Sequence, residues 1–506
     1  MKKLLGHDAV VMVTRTLAGA VGVVLLLIGL AILIMPEVVS TMFLSLSTGG
    51  AGINSLRADL GALFLGTAVF ALLGAFSRFR WLLLVPTTFL SLVVGGRVIS
   101  VLLDPFPSRT AGTLVVEILF VLVLGLAVLA HALSGKGKQR PQAVSVIGSR
   151  RFLIATGVVI VLLGGLFVMR PAISSRLWTD GVAGRMQQSA AIDELPDGLH
   201  VGLAGTGAPM PDSQRVGIST FVIAGEHQFI VDCGPGSTLS SELMQLPLEE
   251  TTAVLLTHFH SDHIADLDEL MLKIWTYGAR TEPTLVMGPI GVETVVEGYN
   301  QAFIFDTSYR IAHHGDAVAP ASGAGGIARV IDGFGEDESV VIFDQDGVRV
   351  TAFLVSHKPV EPALGFRFDY KGRSVVLSGD TLPDETLMAQ SEGIDILVHD
   401  AMNPDMLNAM TRASEASGEA VAGTVATDIQ TYHAFAEETA RIARDANVRH
   451  LVLNQILPPL PFSILHPAFL GDAHRIYDGP ITLSRDGMLF SLPADSDEID
   501  ARWLLY

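Results

Sequence analysis

A single cysteine, Cys233, stands in 506 residues, so no intrachain disulfide can form and a cysteine-rich structural zinc site is excluded. Cysteine usage therefore carries no information about redox compartment. Basic charge is also short, and unevenly so. Residues 1–169 carry 13 Lys and Arg against 5 Asp and Glu, a net of +8, whereas residues 170–506 carry 20 against 47, a net of −27. So acidic a second part argues against a nucleic-acid partner, because binding a polyanion uses basic groups to displace counterions. Repeats of solenoid length are missing as well.

What is present divides the same way. Mean hydropathy is positive, and the apolar residues concentrate near the N-terminus. Five stretches approach the roughly 20 residues that a bilayer-crossing helix needs: 14–35, 59–76, 81–103, 110–133 and 152–169. The first follows Lys2 and Lys3 but is long for a secretion signal. Basic clusters at Lys2/Lys3, Arg78/Arg80 and Lys136–Arg151 fall at alternate ends of these stretches. Lys and Arg mark the cytoplasmic side, so the N-terminus is expected inside and everything after Arg170 outside. Arg97 and Glu117 lie within two of the stretches, and an ion pair between them is expected. The organisation that follows is a four-helix membrane region over 1–135, a basic cytoplasmic loop over 136–151, a fifth span over 152–169, a linker over 170–198 and a soluble domain over 199–495.

From Leu199 the pattern turns to short β-rich runs that each end in polar residues. "LHVGLAGTGAP" runs into the turn Gly205-Thr206-Gly207, "FIVDCGPG" ends at Asp232-Cys233-Gly234, and "AVLLTHFHSDH" stops at a histidine cluster. "VTAFLVSH", "SVVLSGDT" and "IDILVHDAM" repeat the design, and Ala434–Asp445 reads as a helix. In an extended segment His258 and His260 point to one side and can grip one metal, while Asp262 and His263 follow in the turn and can face a second. Four nitrogen and oxygen donors in six residues suit zinc or a similar divalent ion. The Gly205–Gly207 turn lacks the Lys-Ser/Thr of a phosphate loop.

His258-Phe259-His260-Ser261-Asp262-His263 resembles the H-x-H-x-D-H signature of the metallo-β-lactamase superfamily. Gly205-Thr206-Gly207, Asp232-Cys233-Gly234-Pro235-Gly236, Thr257, His357 followed by Gly365-Phe366-Arg367, Ser378-Gly379-Asp380-Thr381 and His399-Asp400-Ala401 are similar to its ribonuclease Z and arylsulfatase-like branch. The fold this implies is an α/β, αββα sandwich over roughly 199–490, preceded by an all-α membrane region of about five transmembrane helices. The resemblance implies two divalent metal ions, zinc by preference: His258, His260 and His357 on the first, Asp262 and His263 on the second, Asp380 bridging. A water between them would lose a proton near neutral pH and attack an ester. Catalytic roles would fall on Asp262, Asp380 and His433, the last assisting the leaving group. Asp232 and His399 would orient ligands.

One departure bears on the second metal. Where the branch ends its site with Thr-His, this chain has Asn454-Gln455. Gln455 as a weak ligand, His466 or His433 as a substitute, and a partly filled second site all remain open. His313-His314 lies in a Gly-, Ala- and Asp-rich insertion over 280–345, expected to form a mobile cover, and Cys233 is expected as a buried structural thiol. The leading expectation is a membrane-anchored, extracytoplasmic hydrolase of small esters (phosphodiesters, sulfate esters or lactones). β-Lactamase action is disfavoured by Asp380, which stands where two-zinc lactamases of this fold commonly carry Cys. Only 22 residues separate His357 from Asp380, too few for a long basic RNA-gripping arm. A non-catalytic metal-binding sensor is the alternative, prompted by Gln455, and a transporter with an accessory domain is a third.

Overall fold

The computed structural model describes residues 7–34, 60–77, 79–103 and 108–134, scattered positions between 169 and 194, and 195–505 apart from Ser213. The chain divides into two compact units, Met1–Ala183 and Gly184–Tyr506.

In the first unit, runs rich in Leu, Val and Ala form the helices His7–Ile34, Ala62–Phe76, Leu84–Leu103 and Ser108–Ser134. Small residues let the first two approach closely: a Cβ on Gly22 would lie 2.9 Å from Leu72 Cγ, and one on Gly29 would lie 2.9 Å from Leu65 Cγ. Ala18, Val21, Leu25, Ala68, Ala71 and Leu124 are buried among these helices, while Leu27, Leu92 and Leu122 stay exposed.

Among the described residues the expectation of about five spans is not supported. Among the described residues one helix is both long and apolar enough to cross a bilayer, Val11–Leu33. Ala62–Phe76 has 15 residues, about 22 Å at 1.5 Å per residue, against a hydrocarbon core of about 30 Å. The apolar parts of the next two helices are also short, Trp81–Gly95 and Leu114–Ala130; Arg97 follows the first and Glu117 sits inside the second. Apart from Met169, the stretch 152–169 lies outside the described residues, as do the loop 136–151, most of 170–198 and the side chain of Arg97.

The second unit is built on two sheets. The first holds β1 (Gly198–Gly205), β2 (Ser219–Ala224), β3 (His227–Val231), β4 (Thr251–Leu255), β5 (Thr284–Gly288), β6 (Gly326–Val330), β14 (Met488–Pro493) and β15 (Asp500–Trp503). Its order is β15-β14-β1-β2-β3-β4-β5-β6. The second holds β7 (Ser339–Gln345), β8 (Val348–His357), β9 (Val360–Tyr370), β10 (Arg373–Leu377), β11 (Ile396–Met402), β12 (His450–Leu457) and β13 (Ile481–Leu483). They run in the order β13-β12-β11-β10-β9-β8-β7. Side chains from both sheets meet in one core that includes Leu203, Phe229, Leu255, Phe366, Val398 and Phe490. On the outer face of the first sheet, Leu270, Met271 and Ile274 of the helix Leu267–Tyr277 pack on Val254 and Val286. On that of the second, Ala440 and Ala443 of the helix Ala436–Asp445 pack on Leu397, Leu451 and Leu453. Helix, sheet, sheet and helix thus stack as the αββα sandwich expected from the sequence.

The region 280–345 is not a loose cover. It supplies β5 and β6 to the first sheet and β7 to the second, with the helices Val292–Ala302 and Ile304–His314 between. His313 and His314 end the latter helix and are exposed.

Candidate metal centre

Strand ends build the site. β4 stops at Leu255, and Thr257 to His263 follow; β3 stops at Val231, and Asp232 follows in the left-handed region at φ 59°. From the other sheet β8 ends on His357, and β10 delivers Ser378-Gly379-Asp380. Gly379 sits at φ 65°, and a Cβ there would lie 2.6 Å from the carbonyl oxygen of Leu364, so this turn has no room for another residue.

His258, His260, His357 and Asp380 bring one donor atom each within 4.8 Å of one another. His258 Nε2 is 2.9 Å from His260 Nδ1, and His357 Nε2 is 3.4 Å from that same Nδ1. Asp380 Oδ2 lies 3.9 Å from both His258 Nε2 and His357 Nε2. Tetrahedral ligands about 2.0–2.1 Å from a zinc ion stand roughly 3.3 Å apart, so the four donors bracket that spacing. Asp380 is buried and its Oδ1 has no hydrogen-bond partner, an arrangement that a bound cation completes. His260 alone of the four is exposed, which leaves the cluster open to substrate on that side. His357 Nδ1 faces the Tyr432 carbonyl oxygen at 3.0 Å, which fixes its ring so that Nε2 points inward.

Asp262 and His263 stand beside this set. Asp232 Oδ1 accepts from Thr257 N at 2.9 Å, and its Oδ2 lies 2.8 Å from both Thr257 Oγ1 and His263 Nδ1. That pairing turns His263 Nε2 toward Asp380 Oδ2, at 3.3 Å, and Asp262 Oδ2, at 3.6 Å. Gln455 also reaches this point. β11 and β12 pair Asp400 with Asn454 and Ala401 with Ile456, so Gln455 is the extra residue of a β-bulge. Its φ of 45° and the bulge swing its side chain out of the ladder into the site. His466 opens the helix His466–Leu470, where burial, and then Arg485 and Arg215, hold its pKa down.

Burial, followed by the charge of His263, holds His258 well below the usual histidine range. Burial opposes charge on His263 too, but Asp380, Asp232 and Asp262 outweigh it and lift its pKa well above that range. The reverse balance holds Asp380 well below the usual carboxylate range: burial resists ionisation, and His263 and His433 overcome it. Burial raises Asp262.

His433 lies between the Thr431 turn and the helix Ala436–Asp445, its Nε2 3.9 Å from Asp380 Oδ2. Its Nδ1 is held by Asp400 Oδ2 at 2.8 Å. Asp400 was not among the site residues singled out from the sequence, although it stands in the His399-Asp400-Ala401 triplet; its signal was a carboxylate beside His399 on a strand whose other residues are apolar. His399 is fully buried, its Nδ1 2.9 Å from Asp400 Oδ1, and its Nε2 has no partner. It faces Asp400 and not a ligand. Cys233 is buried and free, burial raises its thiol pKa, and its backbone braces the histidine turn through N donating to His263 O at 2.7 Å.

Sandwich and site together define a metal-dependent hydrolase of the metallo-β-lactamase superfamily. The chain matches the beta-lactamase superfamily domain over residues 227–454. Ribonuclease Z of Mycobacterium sp. (strain KMS) is 39% identical over 263 residues, covering 52% of this chain and 85% of that protein. Ribonuclease Z of Mycolicibacterium gilvum (strain PYR-GCK) is 36% identical over 264 residues, with coverage of 52% and 85%. Human tRNase Z, short form, superposes with a TM-score of 0.40 at 22% identity, covering 58% of this chain and 99% of that chain. Over its C-terminal part the chain belongs to the ribonuclease Z family.

This kinship overturns the expectation of no nucleic-acid partner, since the relatives are ribonucleases. Net charge summed over a domain is a poor guide to such a partner, because a ligand meets the local field of a site, and cations dominate that field where they are bound. The arylsulfatase side of the expected resemblance is likewise not supported.

Proposed function

We propose that the chain is a phosphodiesterase that cleaves RNA at a centre held by His258, His260, His357 and Asp380. The convergence of those four donors within 4.8 Å carries the reading. A divalent ion bound there supplies Lewis acidity to the phosphoryl group and a low pKa to water. The residues do the rest. Asp262, buried beside His263, takes the proton of the attacking water. His433 Nε2 gives a proton to the departing oxygen, with Asp400 holding the ring from Nδ1. Asp232 orients His263, and Asp380 faces His258, His263, His357 and His433 at once.

A second reading, hydrolysis of small phosphodiesters, sulfate esters or lactones, is favoured by one feature. The 22 residues between His357 and Asp380 are taken up by β9, β10 and their turns, with no protruding arm.

The N-terminal unit anchors this hydrolase in a membrane. Exposed Leu27, Leu92 and Leu122 suit a lipid environment, and Val11–Leu33 is long enough to span it. With Lys2 and Lys3 inside, one crossing or five puts the hydrolase domain outside the cytoplasm.

Purified full-length protein supplied with zinc or manganese is to be assayed on an RNA oligonucleotide, bis(p-nitrophenyl) phosphate and p-nitrophenyl sulfate. RNA cleavage that His260→Ala abolishes supports the reading. Turnover of the small esters alone moves it to the second, and no turnover on any substrate with either metal overturns both.

A further inference from the structure

The bulge at Gln455 places a protein donor where the family resemblance puts a second cation. Gln455 Nε2 lies 2.9 Å from Asp380 Oδ2, 3.3 Å from Asp262 Oδ2 and 3.3 Å from His263 Nε2. These are the three groups expected to share the second metal. A carboxamide nitrogen has no free lone pair for a metal and two N–H groups to give. Rotating the amide by half a turn would set its oxygen against two carboxylate oxygens. The side chain is buried and fixed by the bulge, so it does not swing aside into solvent. Of the first set Gln455 is hydrogen-bonded to Asp380 alone: among the described residues, His258, His260, His357 and Asp380 are the convergent cluster, and Asp262 and His263 fall outside it.

We infer that this chain holds one metal ion, at His258, His260, His357 and Asp380, and that the Gln455 carboxamide takes the place of the second by hydrogen-bonding Asp262 and Asp380. The inference rests on the first site binding metal as proposed above. The amide donors then do one job that the second cation does elsewhere, keeping two carboxylates together in a buried site.

Metal content tests this apart from activity. Full-length protein is equilibrated with excess zinc, desalted and assayed for zinc per chain; a parallel sample with manganese is examined by electron paramagnetic resonance. The expected result is one zinc and an uncoupled manganese signal for the native chain. Gln455→His, which suits a left-handed backbone position better than most residues, should take up two zinc ions and show a spin-coupled manganese pair. Should that variant fold poorly, Asp262→Asn serves: it should keep one zinc, while His260→Ala should retain none. Two zinc ions on the native chain, falling to one in Asp262→Asn, overturn the inference and leave the phosphodiesterase reading standing. No zinc on the native chain overturns the metal centre, and both readings with it.

Discussion

Asp400 Oδ2 holds His433 Nδ1 at 2.8 Å, and the opposite nitrogen of the same ring lies 3.9 Å from Asp380 Oδ2. The imidazole is therefore pinned between two carboxylates. Burial works against its charge, but Asp380 and Asp400 outweigh burial and raise its pKa. A group so raised stays protonated to higher pH and can serve as an acid there. Asp400→Asn removes one of the two charges, so the alkaline limb of the kcat profile should move to lower pH, with kcat falling roughly 10- to 100-fold. A kcat–pH profile of this variant that overlays the native one would refute the assignment.

The same geometry predicts a dependence on leaving group. His433→Ala should cost roughly 10²- to 10⁴-fold in kcat on RNA, whose departing alkoxide needs a proton. On bis(p-nitrophenyl) phosphate the loss should be far smaller, because p-nitrophenolate leaves unaided. Equal losses on the two substrates would point to a structural role for His433.

Gly379 delivers Asp380 to the site from a left-handed turn. Gly379→Ala should cost about 1–3 kcal/mol of stability for the strained backbone, plus displacement against the Leu364 carbonyl. Zinc retention should weaken in step, since Asp380 moves. An unchanged melting temperature with native metal content would show that the turn yields.

Away from the site, Arg373 and Asp395 form a buried two-point pair, Nε to Oδ2 and Nη2 to Oδ1 both at 3.0 Å. Arg373 Nη1 also donates to the Pro493 carbonyl oxygen, tying β10 to the end of β14. Asp395→Ala leaves the guanidinium uncompensated and should destabilise the domain by about 3–5 kcal/mol. Denaturant unfolding reads this loss, while metal bound per folded chain should not change.

Asp486 gives a dependence on pH. It accepts from Thr206 Oγ1 at 2.7 Å and Val216 N at 2.8 Å, yet burial pushes its pKa up to about 6. Its folded value thus exceeds the ordinary aspartate value of 3.8. The stability it contributes is full below about pH 4 and is lost as pH climbs through about 6. Relative to the native chain, Asp486→Asn should therefore gain about 3 kcal/mol between pH 4 and pH 8. A difference between the two proteins that stays flat across that range would dismiss the shift.

How far the site could be read from the sequence differs residue by residue. His258, His260 and His357 were legible because a strand's alternation and abrupt polar ends dictate where such side chains project. The strands were legible from their apolar runs, whereas the sandwich they build was legible only through the resemblance to the metallo-β-lactamase superfamily. Asp400 was missed because its role depends on His433, which lies 33 positions away along the chain. Gln455 was recognised as a departure, but its consequence was not legible: the bulge that aims it depends on the pairing of β11 with β12. Among the described residues the membrane stretches were overcounted because hydropathy in a window registers composition, while helix ends and the placing of Arg97 and Glu117 decide usable length.

The donors of the metal centre come from both sheets, His258 and His260 from the first, His357 and Asp380 from the second. A bound ion would therefore cross-link the two sheets through donors as far apart in the chain as His260 and His357, 97 positions. Neither half presents a complete chelate, so the sandwich closes before the ion is captured tightly. An ion captured there would latch two layers that the shared core of Leu203, Phe229, Phe366 and Val398 already holds face to face.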